Sequence, residues 1–107
     1  MSQATAQNTL DLLILKTLAR GPNHGFGITV HIQNASEGLL RIEEGSLYPA
    51  LHRLEREKAV TSDWKTSENG RRARYYRISA AGRKRLEEHE GQWQSLSAGV
   101  ARVLNFA

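Results

Sequence analysis

The sequence has no cysteine, only two prolines and no long run of apolar residues. Without cysteine, the chain can form no disulfide, no thiolate nucleophile, no zinc finger and no thiol-based redox sensor. No segment approaches the roughly 18 apolar residues that span a membrane, and residues 1–7 lack the basic and then apolar layout of a secretory signal. We therefore expect a cytoplasmic protein that does not associate with a membrane.

Small size and an uneven distribution of charge are the main features of the composition. A chain of 107 residues is long enough for one domain, but its modest core would be more stable if a dimer completed it across an interface. Lys and Arg number 15 against 11 Asp and Glu, which is a mild excess. The segment between Val60 and Arg85 nevertheless concentrates basic residues: Lys65, Arg71, Arg72, Arg74, Arg77, Arg83, Lys84 and Arg85. Such clustering is typical of a surface that meets phosphate groups.

Hydrophobic periodicity and turn residues predict three helices, a β-hairpin and a long last helix. The first predicted helix begins at Asn8 or Thr9 and ends near Arg20. The next two cover residues 25–34 and residues 47–58, and the last runs from Ala80 onward with Ser79 as its N-cap. The predicted strands are residues 60–66 and 74–78, joined by a tight reversal at Asn69-Gly70.

The predicted third helix has one apolar face and one polar face. The apolar face carries Leu47, Ala50, Leu51 and Leu54 at the spacing of a side that packs on a core. Pro49 lacks an amide hydrogen and therefore fits the first turn, with Ser46 as the N-cap. The opposite face carries Tyr48, Pro49, His52, Arg53 and Arg56. Such a mixture is typical of a helix that reads base edges in the major groove, although Arg53 and Arg56 alone would also fit an ordinary solvated face.

The hairpin that follows is basic near its tip. Trp64, Lys65, Asn69, Arg71, Arg72 and Arg74 lie on or beside the predicted turn. A basic hairpin by itself is more often a soluble sheet edge, but directly after such a helix it favours a wing that contacts the DNA backbone or minor groove. We therefore predict a mainly α fold with a β-hairpin wing, a winged helix-turn-helix. Residues 1–7 would be a disordered tail, residues 8–79 the DNA-binding domain and residues 80–107 a C-terminal dimerisation helix.

Several stretches of the sequence resemble the PadR family of bacterial transcriptional regulators. They are residues 24–27 (HGFG), 44–55 (EGSLYPALHRLE), Trp64, 68–76 (ENGRRARYY) and 79–82 (SAAG). The resemblance extends from about Thr9 to the C-terminus, and the single last helix is similar to the smaller subfamily. It implies a homodimer that represses genes from a roughly palindromic operator, often under a small-molecule effector. It also implies that Ser46, Tyr48, Pro49 and His52 lie in or near the major groove, with Arg71 and Arg72 on the wing.

Two positions depart from the usual pattern of this family. Phe26 stands where the family usually has tyrosine, which we expect to change only a packing contact. Lys58 stands where a glycine commonly ends the third helix. A left-handed lysine at that position would be strained by about 1 kcal/mol, so we expect the turn into Val60 to differ in shape.

The last helix carries a heptad pattern that predicts a dimer interface. Leu86, Trp93 and Val100 are seven apart, and His89, Leu96 and Val103 interleave with them. The first helix also has a second apolar face. We expect the following residues to pack against a second copy of the chain: Leu12, Leu15, Leu86, Trp93, Leu96, Val100 and Val103. Packing of both helices within one protomer is the alternative.

Trp93, near the middle of such an interface, admits two interpretations. It fills the seam as a core anchor, or it and its symmetry mate flank a small planar aromatic effector. His89 is either a pH-sensitive group of the interface or a half-exposed histidine, and the sequence does not decide between them.

Other classes of function have less support in the sequence. The four histidines have no metal-ligand spacing, no glycine-rich phosphate loop is present and no nucleophile has a visible base, so we expect no enzyme, no metal and no cofactor. A winged-helix module that binds only proteins would carry apolar residues on the outer face of the third helix. A regulator from another winged family, such as a multidrug-type regulator, would differ in dimer geometry. The expected partners are double-stranded DNA and a second copy of the chain.

Overall fold

The computed structural model describes residues 3–66 and 68–106, with side chains from Thr9 onward. In order, the elements are α1 (Gln3–Ala19), β1 (Asn23–His24), α2 (Gly25–Ala35), α3 (Glu44–Arg56), β2 (Val60–Thr66), β3 (Arg72–Ile78) and α4 (Ala80–Leu104). The predicted fold class is confirmed: a mainly helical chain with a β-hairpin and a long last helix.

The first helix begins earlier than predicted, at Gln3 rather than at Asn8 or Thr9. Residues 3–7 contain neither glycine nor proline and include two alanines, so nothing in them stops a helix. The expectation of a disordered tail is therefore wrong for residues 3–7, whereas Met1 and Ser2 lie outside the described residues.

The helix α3 also begins early, so Ser46 is not its N-cap. Glu43 is the N-cap, and its carbonyl accepts hydrogen bonds from the amides of Ser46 and Leu47, each at 3.0 Å. Pro49 lies inside the helix, where it removes the hydrogen bond to the carbonyl of Gly45. Both residues are exposed, so water can satisfy that carbonyl.

The two-residue strand β1 joins the start of α2 to the hairpin. It is too short to show a hydrophobic periodicity in the sequence. Asn23 pairs with Tyr76 and His24 with Tyr75, so the antiparallel sheet has the order β1-β3-β2. The Nδ1 atom of His24 accepts a hydrogen bond from the amide of Gly27 at 3.0 Å and thereby caps α2. This cap and the strand pairing together orient α2 against the hairpin.

The hydrophobic core lies between the first three helices and the sheet. Its buried members are Ile14, Leu15, Leu18, Ile28, Ile32, Leu47, Ala50, Leu51, Leu54, Ala59, Val60, Tyr76 and Leu86. The predicted apolar face of α3 is thus confirmed. The expectation that Leu15 and Leu86 face a second chain is wrong, because α4 packs on α1 and both side chains are buried within the protomer.

The second half of α4 extends away from this core. Lys16 on α1 pairs with Glu90 on α4 at 3.1 Å, and from Gly91 to Phe106 every residue is exposed. The molecule is accordingly elongated, measuring 58 × 29 × 23 Å. The exposed half of α4 still carries four residues of the predicted heptad pattern: Trp93, Leu96, Val100 and Val103.

The turn from α3 to β2 passes through a lysine in the left-handed region. Lys58 has a φ of 63°, so the expectation that the turn would differ in shape is wrong, and the lysine adopts the conformation in which the family commonly has glycine. Its amide donates to the carbonyl of Glu55 at 3.0 Å, and the amide of Ala59 donates to the carbonyl of Leu54 at 2.9 Å. This pair of bonds is the Schellman motif, in which glycine is favoured because a β-carbon is strained there.

We expect Lys58→Gly to raise the free energy of unfolding by about 1 kcal/mol, because it removes this strain. Urea denaturation at a fixed protein concentration measures the change. Lys58→Ala is the matched control, since it removes the charge but keeps the β-carbon, and it should leave stability nearly unchanged. Equal stabilisation by both variants would show that the charge, rather than the backbone, is responsible.

Candidate nucleic-acid interface

The exposed face of α3 carries most of the α3 side chains that were predicted to contact DNA. Ser46, Pro49, His52 and Arg56 are exposed, and Tyr48 lies at the edge of this face with 37% of its surface exposed. The arrangement follows from helical geometry, because the four apolar residues of α3 occupy the opposite side. The face therefore offers an imidazole, a hydroxyl, a phenol and a rigid ring to whatever lies against it.

The ring of Tyr48 lies against the first turn of α2. A β-carbon on Gly25 would lie 2.7 Å from the ring and from the hydroxyl of Tyr48, so only glycine leaves room for this contact.

The side chain of Phe26, next to Gly25, differs from the prediction. It was expected to make a packing contact, but it is 61% exposed, so that expectation is wrong.

Arg53 does not point outward with the other residues of the α3 face. Its guanidinium donates two hydrogen bonds to the carboxylate of Asp11 on α1, at 2.9 and 2.6 Å. Asp11 is 3% exposed, and the Arg53 side chain is 25% exposed. The hydrogen bond to Asp11 raises the pKa of Arg53 above its ordinary value, so the guanidinium remains charged and joins α3 to α1.

A second ion pair joins the end of α3 to α4. Glu57, directly after α3, lies 3.8 Å from Arg53 and 2.8 Å from Arg85. The chain Asp11–Arg53–Glu57–Arg85 thus connects α1, α3 and α4. Arg53 is therefore held by acids on both sides, and its charge is largely compensated within the protein.

The hairpin presents the remaining predicted contacts. Lys65, Asn69, Arg71 and Arg72 are all exposed. The tip reverses through Gly70, whose φ of 75° is a conformation that suits glycine. The ammonium of Lys65 lies 5.6 Å from the centre of the Tyr75 ring. These residues form a cationic edge beside α3.

Arg74 differs from the other basic residues of the hairpin because it points toward α3. Its Nε donates to the hydroxyl of Ser62 at 2.7 Å, and that hydroxyl donates to Glu55 at 2.6 Å. A guanidinium nitrogen of Arg74 also lies 3.4 Å from both carboxylate oxygens of Glu55. The same cluster borders Tyr76, whose pKa is raised, chiefly by burial.

The residues expected at a dimer interface lie in two environments. Leu12 is partly buried against the core, whereas Trp93, Leu96, Val100 and Val103 are exposed on α4. Between α1 and α4 runs a groove lined by Thr9, Leu12, His89, Gln92, Trp93 and Leu96. The Nδ1 atom of His89 is buried and has no hydrogen-bond partner within the described part of the chain.

A metal-binding cluster and a membrane-spanning helix are both absent from the described residues. These residues contain no group of three or more His, Asp or Glu side chains that could hold a metal ion. None of the helices, as far as the structure describes them, is long and apolar enough to cross a membrane.

Sequence reasoning missed the acidic partners that position the arginines. Asp11, Glu55 and Glu57 were not singled out, and neither was the hydroxyl of Ser62. A signal for Asp11 was present, because it interrupts a run of leucines on α1, and a charge among apolar residues is normally paired. Glu55 and Ser62 have no such signal, since both would also fit an exposed surface.

Comparison with known proteins identifies similar chains. The model of the transcriptional regulator PadR-like family matches residues 14–88. A transcriptional regulator from Mycobacterium tuberculosis is 36% identical over 89 residues, which cover 83% of this chain and 79% of that protein. The structure of a PadR family transcriptional regulator from Eggerthella lenta has a TM-score of 0.80 and 30% identity, covering 97% of this chain and 88% of that one. That of a transcriptional regulator from Clostridium thermocellum has a TM-score of 0.82 and 27% identity, covering 95% and 96%.

Proposed function

Because the chain belongs to the PadR-like family of transcriptional regulators, we propose that it binds double-stranded DNA as a homodimer and represses transcription from a roughly palindromic operator. Within this proposal, the part of the chain up to Ser79 binds DNA and α4 forms the dimer. The observation that carries the proposal is the pairing of an exposed polar face on α3 with a cationic hairpin beside it.

In this mechanism α3 enters the major groove. Tyr48, Pro49 and His52 meet base edges there, and Ser46 in the first turn contacts bases or phosphate. The hairpin lies along the backbone or minor groove, where Lys65, Asn69, Arg71 and Arg72 supply contacts that depend on salt more than on sequence. Arg53 and Arg74, which are paired with acids, hold these elements in place and contribute less direct contact.

The dimer follows from the exposed apolar side chains of α4. Trp93, Leu96, Val100 and Val103 repeat at heptad spacing along the half of the helix that has no cover in the protomer. A second copy packed against them would bury that stripe. Binding to successive half-sites requires the two α3 helices of this dimer to lie about 34 Å apart, or a multiple of that distance.

The reading role of α3 predicts a sequence-dependent loss. We expect Tyr48→Ala and His52→Ala each to weaken binding to a preferred duplex by roughly 1–3 kcal/mol and to flatten the preference among related duplexes. Arg71→Ala, in contrast, should weaken binding to all duplexes and make the dependence on salt shallower.

The experiment uses duplexes selected from a random pool by the parent protein, together with the region upstream of its gene, across a series of salt concentrations. Gln33→Ala, on an exposed position of α2, is the control and should bind as the parent does. An equal loss on selected and random DNA for Tyr48→Ala would count against a reading role. If the parent selected no duplex, a protein-binding winged module would replace the proposed function.

We further propose that a small planar aromatic effector binds the groove between α1 and α4 and releases the DNA. His89 and Trp93 both line this groove, and the buried Nδ1 of His89 has no partner within the described residues. The imidazole offers a polar partner and the indole ring a stacking surface. In a Trp64→Phe background, an effector should change the fluorescence of Trp93 and raise the melting temperature. No response to a broad panel of planar compounds would leave Trp93 as an anchor of the interface.

A further inference from the structure

One face of the hairpin carries a continuous series of side chains that runs from α3 toward the tip. The register places Ser62 opposite Tyr76, Trp64 opposite Arg74 and Thr66 opposite Arg72. Because alternate residues of a strand share a face, these six side chains lie on the same side of the hairpin. Tyr76 is buried and Ser62 bonds to Glu55 of α3, so this is the side that faces α3.

The part of the series nearer the core is attached to α3 by hydrogen bonds. Arg74 reaches Ser62 at 2.7 Å and Glu55 at 3.4 Å, so strand β3 is held to the third helix through a charged hydrogen-bond network. A planar guanidinium with several bonds in different directions has few orientations open to it. The position of Arg74 is therefore set by α3 rather than by solvent.

The part of the series nearer the hairpin tip is held by Trp64. The guanidinium carbons of Arg72 and Arg74 lie 5.4 and 5.9 Å from the centre of the Trp64 ring, within the range of cation–π attraction. Trp64 is 56% exposed, so hydrophobic burial alone does not account for its place. Arg72 has no ion pair within the described residues, and its donors therefore remain available to a phosphate or a base.

We propose that Trp64 and Arg74 are positioning residues that hold the guanidinium of Arg72 at a fixed distance from α3. This inference rests on the proposed DNA binding. Trp64 stacks with both arginines, Arg74 connects the stack to Glu55, and Arg72 makes the DNA contact. The hairpin can then contact DNA at a fixed distance from the α3 helix in the major groove. Lys65 lies on the opposite face of the hairpin near Tyr75 and is independent of this stack.

A double-mutant cycle on DNA affinity tests the proposal. Arg72→Ala should weaken binding about five- to tenfold in the parent but less than about twofold in a Trp64→Ala background, since the arginine is no longer held in place. Lys65→Ala is the matched control, and its effect should be the same in both backgrounds. Trp64→Phe, with a smaller ring, should give an intermediate coupling.

A measurement without DNA separates this proposal from the proposed function. In nuclear magnetic resonance spectra, the side-chain protons of Arg72 and Arg74 should show ring-current shifts that disappear in Trp64→Leu. An equal effect of Arg72→Ala with and without Trp64, or an absence of these shifts, would overturn the positioning role. Failure of the parent to bind any duplex would instead overturn the proposed function, whatever the shifts show.

Discussion

Asp11→Ala is expected to lower the free energy of unfolding by about 3 kcal/mol, because it leaves the guanidinium of Arg53 without its buried partner. Asp11 is almost completely buried and receives two hydrogen bonds from Arg53. The loss should lie at the lower end of the range for buried pairs, since water reaches the exposed quarter of the Arg53 side chain. Urea denaturation at a fixed protein concentration measures it.

The double variant Asp11→Leu with Arg53→Met provides the control. Removing both charges leaves no unpaired ion, so this variant should be clearly more stable than Asp11→Ala. If the double variant were as unstable as the single one, the loss would come from packing rather than from the unpaired charge. A change of less than about 1 kcal/mol in Asp11→Ala would place the pair among ordinary surface salt bridges.

Introducing charges into the exposed stripe of α4 is expected to have the largest effect on DNA binding. The double variant Leu96→Asp with Val100→Asp would place carboxylates from both chains in the proposed seam, where they could not be paired. We expect the dimer to dissociate at micromolar concentration. Affinity for a palindromic duplex should fall at least about 100-fold, because the two half-sites are no longer bound by one linked molecule.

Sedimentation and binding to duplexes with one or two half-sites measure these effects. Both side chains are exposed in the protomer, so the helical circular dichroism should be retained. Gln94→Asp, at an exposed position of α4 outside the heptad stripe, introduces one carboxylate per chain and should remain dimeric. A parent protein that sediments as a monomer at this concentration would contradict the proposed assembly.

The outcome for individual residues shows where local pattern is a sound guide. Ser79 was predicted to cap the last helix, and its hydroxyl accepts from the amide of Gly82 at 3.0 Å. Strand β2 has the predicted bounds, and Gly70 lies at the predicted reversal. These features depend on interactions within a few residues, which the sequence contains in full.

The start of α3 shows the limit of the same reasoning. Ser46 is a good cap by type and Pro49 prefers the first turn, yet the helix begins at Glu44. The packing of Leu47 in the core and the bonds to the carbonyl of Glu43 stabilise the earlier start. Local preferences of this size are readily overridden by tertiary packing.

By itself, the sequence determined the order of the helices and the hairpin, the buried side of α3, the cap of α4 at Ser79 and the resemblance to a family of regulators. Only the tertiary structure decided which charged side chains are available to a ligand. The sequence does not distinguish Arg53 from Arg72. Asp11 lies 42 positions from Arg53, and only folding brings Asp11 and Arg53 together. An ion pair between distant residues leaves no periodic trace in a sequence, so the division between arginines that hold the fold and arginines that face outward appears only in three dimensions.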